Sequence, residues 1–359
     1  MSATKGQPLS FWRGLFFLIL GTGLVLTVIR FTQGLGAVTN LSDQYPWGLW
    51  VGFDVLCGVG LAAGGFVITA VVYIFHIESW RPVVRPAILT AVLGYVLVGV
   101  ALLFDLGRPW NIWHPLIMWN PHSVMFEVAW CVMLYSTVLG LEFSGMVFER
   151  FKMKRAVKVQ RFFSVPLVIA GVILSTLHQS SLGTVYLIVP GKLHGLWYSP
   201  LLPVLFWVSA ISVGLAMVIV ESKLASRALG RHLELPLLSS VGRVLLGVLG
   251  LYGVLRIFDL ANRGMMGAVF AFDYESLMFW VEFGLGVLLP MALLAFPAMR
   301  RNPRGLYGAA LLTVLGFVGH RLNVAMTGFE GAQGGHYIPS WAEAVITLMF
   351  VAIGFAAFY

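Results

Sequence analysis

The residues of this sequence able to do chemistry are few and sit in unexpected surroundings. In "PHSVMFEVAWCVMLY", Glu127 stands about two turns, roughly 9 Å, beyond Pro121 in an apolar run. In "LSTLHQSSLGTVY", His178 lies more than halfway along the next run, beside Gln179, Ser180 and Ser181. A carboxyl group passes protons, and a neutral imidazole donates to a carbonyl. The bland alternative is a satisfied core histidine. Two titratable groups at like depth on consecutive antiparallel segments weigh against it.

Other ionisable residues share that depth: Arg30, Asp54, Asp105, Arg256, Asp259, Glu282, His320, Arg321 and Glu343. Glu142, Glu221 and Arg243 lie toward the opposite boundary. Insertion of Arg or Asp at mid-helix costs roughly 2.5–3.5 kcal/mol. A crowd of charges at one depth therefore implies a polar cavity opening to one face. Structural pairing is the competing account, with Arg256 against Asp259 at i,i+3 or Arg321 against Glu343. Asp54 shares a helical face with Gly58, Leu61 and Gly65, which predicts that it points into a packed bundle as part of the cavity's polar wall. Gly48, Gly52, Gly60 and Gly64 follow the small-xxx-small spacing of closely packed membrane helices.

The elements that position these groups are apolar spans. Of 359 residues, 59% are hydrophobic and 11% charged, against about 25% charged in a soluble protein. Runs long enough to cross a bilayer fall near 10–32, 47–76, 84–107, 121–148, 162–189, 200–221, 236–260, 277–299, 304–327 and 339–359. The prediction is an all-α polytopic membrane protein of ten helices forming one integral membrane domain over 1–359. The first run lacks a small-residue cleavage site and reads as a retained helix. The last ends at Tyr359 without a basic anchor, which points to a short tail beyond it.

Basic residues alternate with the spans. Lys5 and Arg13, Arg81 and Arg85, the loop from Arg150 to Arg161, Lys223 to Arg231, and Arg300 to Arg304 fall on one side. The other side holds Arg108, Lys192 and Arg263. The positive-inside rule puts the first side and both termini in the cytoplasm. The net charge of +8 is thus mostly topological, and nucleic acid is not an expected partner. The outer loops, such as "GRPWNIWHPLIMWNPHS" and "FEGAQGGHYIPS", are rich in Trp, Tyr, Pro and His. They suit an interfacial belt, a docking surface, or both.

Several cofactors fit poorly. Two cysteines, Cys57 and Cys131, and no CxxC argue against an iron–sulfur cluster or thiolate zinc site in this chain; no metal site is expected. There is no Walker loop. His178 and His320 are the one conceivable haem pair, and no helix repeats a His at the spacing of two stacked haems.

The blocks "YPWGLWVGFDVLCGVGLAAGGF", "VRPAILTAVLGY", "DLGRPWN", "PHSVMFEVAWCVMLY", "LEFSGMVFER", "LHQSSLG" and "YESLMFWVEF" occur in this order. Together they resemble the NrfD/PsrC family, and most closely its HybB-type membrane subunits of periplasm-facing hydrogenases and related redox complexes. The resemblance covers nearly all ten helices. It implies a subunit of the bacterial cytoplasmic membrane, without haem or iron–sulfur cluster of its own. Such a subunit exchanges electrons between a periplasmic ferredoxin-like iron–sulfur partner and menaquinone or another quinone. Through that partner it would serve a hydrogenase, a multihaem cytochrome or another dehydrogenase. The implied fold is two four-helix bundles, helices two to five and six to nine, as inverted repeats with a flanking helix at each end.

Carried over residue by residue, the resemblance puts Glu127, His178 and Tyr95 at the quinone head group. Asp105 and Arg108 stand at the outer mouth, with Asp54 behind them. Glu142 and Glu221 match acids on the inner side that would serve a proton route. His320 matches none of these blocks and has no assigned role. Two other readings stay open: a secondary transporter, although transporters usually bind nearer mid-membrane, and a non-catalytic anchor of a periplasmic oxidoreductase, which needs no titratable cavity.

Overall fold

The computed structural model describes residues 11–188, 191–230 and 232–358. Ser10, Tyr359, and the flanking Lys5 and Arg231 lie outside the described residues. Ten helices are long and apolar enough to cross a membrane. They are α1 Phe11–Gln33, α2 Trp50–Ile74, α3 Glu78–Asp105, α4 Val124–Arg150, α5 Lys154–Ile188, α6 Leu202–Ala228, α7 Leu235–Asn262, α8 Tyr274–Ala295, α9 Pro303–Gln333 and α10 Trp341–Phe358. Two boundaries differ usefully from expectation. Helix α5 begins at Lys154, so most of the expected basic loop is instead the helix's first turns. Helix α4 begins only at Val124, where the Ser123 hydroxyl caps it by accepting from the Phe126 N–H at 3.4 Å.

Helices α2 to α5 pack as one four-helix bundle and α6 to α9 as another. Helices α2 and α5 of the first meet α6 of the second, and α2 also lies on α9. Helices α1 and α10 pair with each other, and α10 rests on α3. The glycines of α2 make the inter-bundle contact possible. A side chain at Gly60 would strike the Phe317 ring, one at Gly64 the Gly214 carbonyl, and one at Gly52 the Ala325 methyl. Gly58 and Gly65 instead receive Val98 and Ala91 of α3.

Chain direction corrects the expected inversion. The Tyr45 hydroxyl, before α2, donates to the Gly334 carbonyl, and the His194 N–H, before α6, donates to the Gly328 carbonyl. Both bundles therefore begin at the face where α9 ends. Matched helix by helix, they run the same way across the membrane. Sequence echoes agree: "FDLGR" from Phe104 closes α3 and "FDLANR" from Phe258 closes α7. Likewise "SVMF" from Ser123 opens α4, and "SLMF" from Ser276 lies in the first turn of α8. His178 lies on α5 and His320 on the matched helix α9.

Wide π-type turns interrupt α2 at Trp50–Cys57 and Ala70–Ile74, α8 at Val281–Leu288 and α9 at Asn323–Thr327. Each such turn takes more residues than an α turn and so rotates the side chains of its stretch away from their α-helical positions.

Helices α8 and α9 cross at Gly286 and Gly316, where a methyl on either residue would overlap the backbone of the other. We expect Gly316→Ala to force the helices apart and cost about 1–3 kcal/mol. A lowered thermal unfolding midpoint in detergent checks this; an unchanged midpoint would refute so close a crossing.

Candidate functional site

One face of α4 carries Glu127, Cys131, Tyr135, Val138 and Glu142, at steps of four, four, three and four residues. The facing stripe of α5 carries Ser181, His178, Ser175 and Gly171. These faces meet along the α4–α5 contact. At the outer end the Ser181 Oγ lies 2.5 Å from Glu127 Oε1 and 2.8 Å from the Leu177 carbonyl oxygen. A hydroxyl has one proton and two lone pairs. When Ser181 donates to Leu177 it can accept from a protonated Glu127, and when it donates to Glu127 the carboxylate is charged. Glu127 lies in the first turn of α4, shallower than counting from Pro121 predicts, and its side chain is exposed.

One turn inward, His178 is fully buried and neither ring nitrogen has a hydrogen-bond partner among the described residues. The Tyr95 ring of α3 lies 5.9 Å from the imidazole and 4.6 Å, edge to face, from Tyr135. The Tyr95 hydroxyl, Ser175 Oγ and Gln179 Oε1 are likewise buried without a hydrogen bond of full geometry, although Ser175 stands within reach of both phenols and Gln179 within reach of Tyr95. Gln179 is anchored from its other end, Nε2 donating to the Val59 carbonyl at 3.2 Å. Buried polar groups without partners cost roughly 1–3 kcal/mol each, so four in one place mark a spot built for something besides packing. At the inner end Glu142 faces Gly171, whose missing side chain leaves it room.

The sequence thus brings Glu127, His178, Tyr95 and Glu142 into one file. It names Gln179 and Ser181 only as neighbours of His178, and it overlooks Ser175 and Tyr135, although helical spacing from His178 and Glu127 reaches both. The remaining expected residues stand elsewhere. Asp54 is buried, as its helical face predicts, but its partner lies outside the file: the Thr347 hydroxyl of α10 donates to its Oδ2 at 2.9 Å. Its charged neighbour is Asp105, whose flanking carbonyls, of Phe104 and Leu106, accept from Arg30 at 2.7 and 2.6 Å. Arg108 is exposed. The Thr90 hydroxyl donates to Glu221 at 3.0 Å, linking α3 to α6. Close by the Asp54 cluster, Glu343 accepts from the Asn40 N–H at 2.8 Å and from the Tyr337 hydroxyl. Burial and this carboxylate push the Tyr337 phenol up from its ordinary pKa.

The second bundle holds its own polar cluster, with partners unlike those expected. Arg256 pairs with Glu282 at 3.5 Å, both buried, and not with Asp259. Glu282 also accepts from Trp197 at 3.1 Å and Asn323 at 2.7 Å. Asp259 pairs with Arg263 at 2.7 Å and accepts from Ser199. Arg321 has no carboxylate; it donates to the Phe206 carbonyl and Ser209, lies 2.9 Å from His320 Nδ1, and is sandwiched by Phe206 and Phe317. Glu282, Tyr252, Ser212, Thr313 and His320 border a cavity of about 30 Å³, room for a water molecule.

Ten spanning helices with no strand among the described residues, and a buried polar file between two of them, define an all-α polytopic membrane protein. The chain belongs to the family described as Polysulphide reductase, NrfD, whose profile matches residues 37–332. It is 41% identical over 345 residues to a protein of Nitratidesulfovibrio vulgaris, covering 93% of this chain and 88% of that one. It is 36% identical to the probable Ni/Fe-hydrogenase 2 b-type cytochrome subunit of Escherichia coli, covering 93% and 86%. The integral membrane subunit of menaquinone reductase from Nitratidesulfovibrio vulgaris is 29% identical, with 95% and 87% covered. The Escherichia coli name implies a b-type haem. Here the two buried histidines stand in different bundles, His178 against Tyr95 and His320 against Phe206 and Tyr252.

Removing one partner of a buried ion pair leaves the other charge stranded, at about 3–5 kcal/mol, whereas replacing both by apolar groups is far milder. We expect Arg256→Met to lower the unfolding midpoint sharply and Arg256→Met with Glu282→Met to recover most of it. A double variant no better than the single one would show that the pair is not the coupled unit.

Proposed function

We propose that the chain is the quinone-reactive membrane subunit of a respiratory redox complex in the bacterial cytoplasmic membrane, with both termini cytoplasmic. Electrons pass between a periplasmic ferredoxin-like iron–sulfur partner and menaquinone or a related quinone. A hydrogenase, multihaem cytochrome or other dehydrogenase stands behind that partner. The observation that carries this reading is the file between α4 and α5, which runs from an exposed carboxyl to unpartnered buried groups and on to an inner carboxyl. The names of the relatives support the class, since they include a hydrogenase subunit and a menaquinone reductase subunit.

Reduction of a quinone consumes two electrons and two protons, and oxidation of the quinol returns them. Glu127 is exposed, as are Leu134 of α4 and Leu177 of α5, and it meets a ring that arrives from the lipid. Its carboxyl, or Ser181, donates to the ring carbonyl. The unpartnered His178 and Tyr95 then pass protons behind that first contact. Ser175 and Tyr135 continue the file toward Glu142, filling the roughly 22 Å that separates the two glutamates along α4. Glu221, held by Thr90, adds an inner acid on the neighbouring helix pair. Asp54, Asp105 and Arg108 shape the outer rim beside the partner, and proton uptake through Glu142 makes turnover electrogenic.

General acid–base groups contribute about 10²- to 10⁴-fold. In the purified complex, Glu127→Gln and His178→Ala should each lower quinone turnover at least about tenfold while the subunits stay assembled. Wild-type turnover in both variants would sink the site and favour the anchor reading. In proteoliposomes, Glu142→Gln should reduce the membrane potential generated per quinone turned over. An unchanged ratio would remove Glu142 from the route.

A further inference from the structure

On the face carrying the basic residues, a cleft of about 480 Å³ opens between the start of α7 and the turn joining α8 to α9. Its lining includes Ser239, Arg243, Arg300 and Arg301, with Pro236 and Pro297 as apolar walls. Arg300 is already satisfied. It donates to the Leu294 and Ala295 carbonyls at the end of α8, and its stem lies over Gly242 of α7. Arg243 and Arg301 have no carboxylate or other hydrogen-bond partner among the described residues, and both are exposed. The acid nearest in sequence, Glu234, is exposed and outside the lining.

Arg243 stands eight residues into a membrane-spanning helix, roughly 12 Å along its axis. An exposed side chain there faces lipid. A guanidinium in that position lifts its charge toward the interface and takes an anion where one is offered. Basic pockets between helices on this side of a membrane suit phosphate head groups. We propose that this cleft binds the head group of an anionic phospholipid, with Arg243 and Arg301 on the phosphate and Ser239 as a hydroxyl donor. Lipid is favoured over free phosphate by the residues that flank the cleft. Val244, next to Arg243, and Phe296, next to Pro297, are exposed apolar groups placed to lie along acyl chains.

The test uses the full chain, stripped of lipid and offered equimolar phosphatidylglycerol and phosphatidylcholine, with bound lipid counted by native mass spectrometry. Wild type should retain phosphatidylglycerol at least fivefold over phosphatidylcholine. Arg243→Gln with Arg301→Gln should lose that preference, while Arg243→Lys with Arg301→Lys keeps most of it. Ser239→Phe, which fills the cleft and keeps every charge, should lower retention as well. Equal preference in wild type and the glutamine pair, or undiminished retention in Ser239→Phe, would overturn the proposal. So would displacement of the bound lipid by millimolar inorganic phosphate, which would mark a site for the free ion.

Discussion

A guanidinium inside an apolar helix bundle must find oxygen atoms, and here the oxygens are mostly backbone carbonyls. Arg30 takes the carbonyls of Phe104 and Leu106, Arg256 that of Leu196, Arg263 that of Gly195, Arg321 that of Phe206, and Arg300 those closing α8. Helix ends leave carbonyls unpaired and carry partial negative charge. Those of α3 and α8 are used here, and the loop between α5 and α6 supplies two more. Arg30 thereby ties α1 to the end of α3, and Arg256 and Arg263 tie α7 to the α5–α6 loop. The charges that look expensive in the sequence therefore fasten the ends of the bundles.

That constraint explains why so many charges share one depth. Most of the helix ends and loops that need fastening lie at the face where α2 and α6 begin, and there Arg30, Arg256 and Arg263 do the fastening. The depth pattern alone does not mark a cavity, because the fasteners and the chemically free groups fall at the same level. Glu282 and His178 stand at the two extremes. Glu282 accepts from Trp197 and Asn323 and is paired with Arg256. His178 has no partner at either nitrogen among the described residues.

Much of this architecture was legible in the sequence. Apolar run length sets the ten helices, since each must bury its own backbone polar groups in lipid. Glycine spacing in α2 announces close packing, and Gly64 does meet Gly214. Pairing was less legible. Arg256 and Asp259 are neighbours at helical spacing, yet Arg256 reaches across to α8 and Asp259 turns to Arg263 and Ser199. Intrahelical spacing shows which residues can meet, not whether a neighbouring helix offers something better. Asp54 is buried as its face assignment expected, and it meets Thr347 of α10, a partner that no intrahelical count can name. The α4–α5 file lay half in view, because Tyr135 and Ser181 follow from helical spacing once Glu127 and His178 are chosen, whereas Tyr95 enters from a third helix.

The parallel relation of the two bundles turns this contrast into an argument. His178 and His320 occupy corresponding helices, as do Asp105 and Asp259, so the bundles began with similar resources. In the second, His320 leans on Arg321, Asp259 is closed by Arg263, and Glu282 is triply held. In the first, the helix corresponding to α8 sets its acid, Glu127, at the surface with one serine for company, and the imidazole behind it is unopposed. The second bundle also keeps buried atoms without partners, among them His320 Nε2, Arg321 Nε and Arg256 Nη1. The contrast is therefore one of charge pairing and access: its cluster is held by the Arg256–Glu282 and Arg263–Asp259 pairs, whereas the file of α4 and α5 runs inward from an exposed carboxyl that is in no ion pair among the described residues.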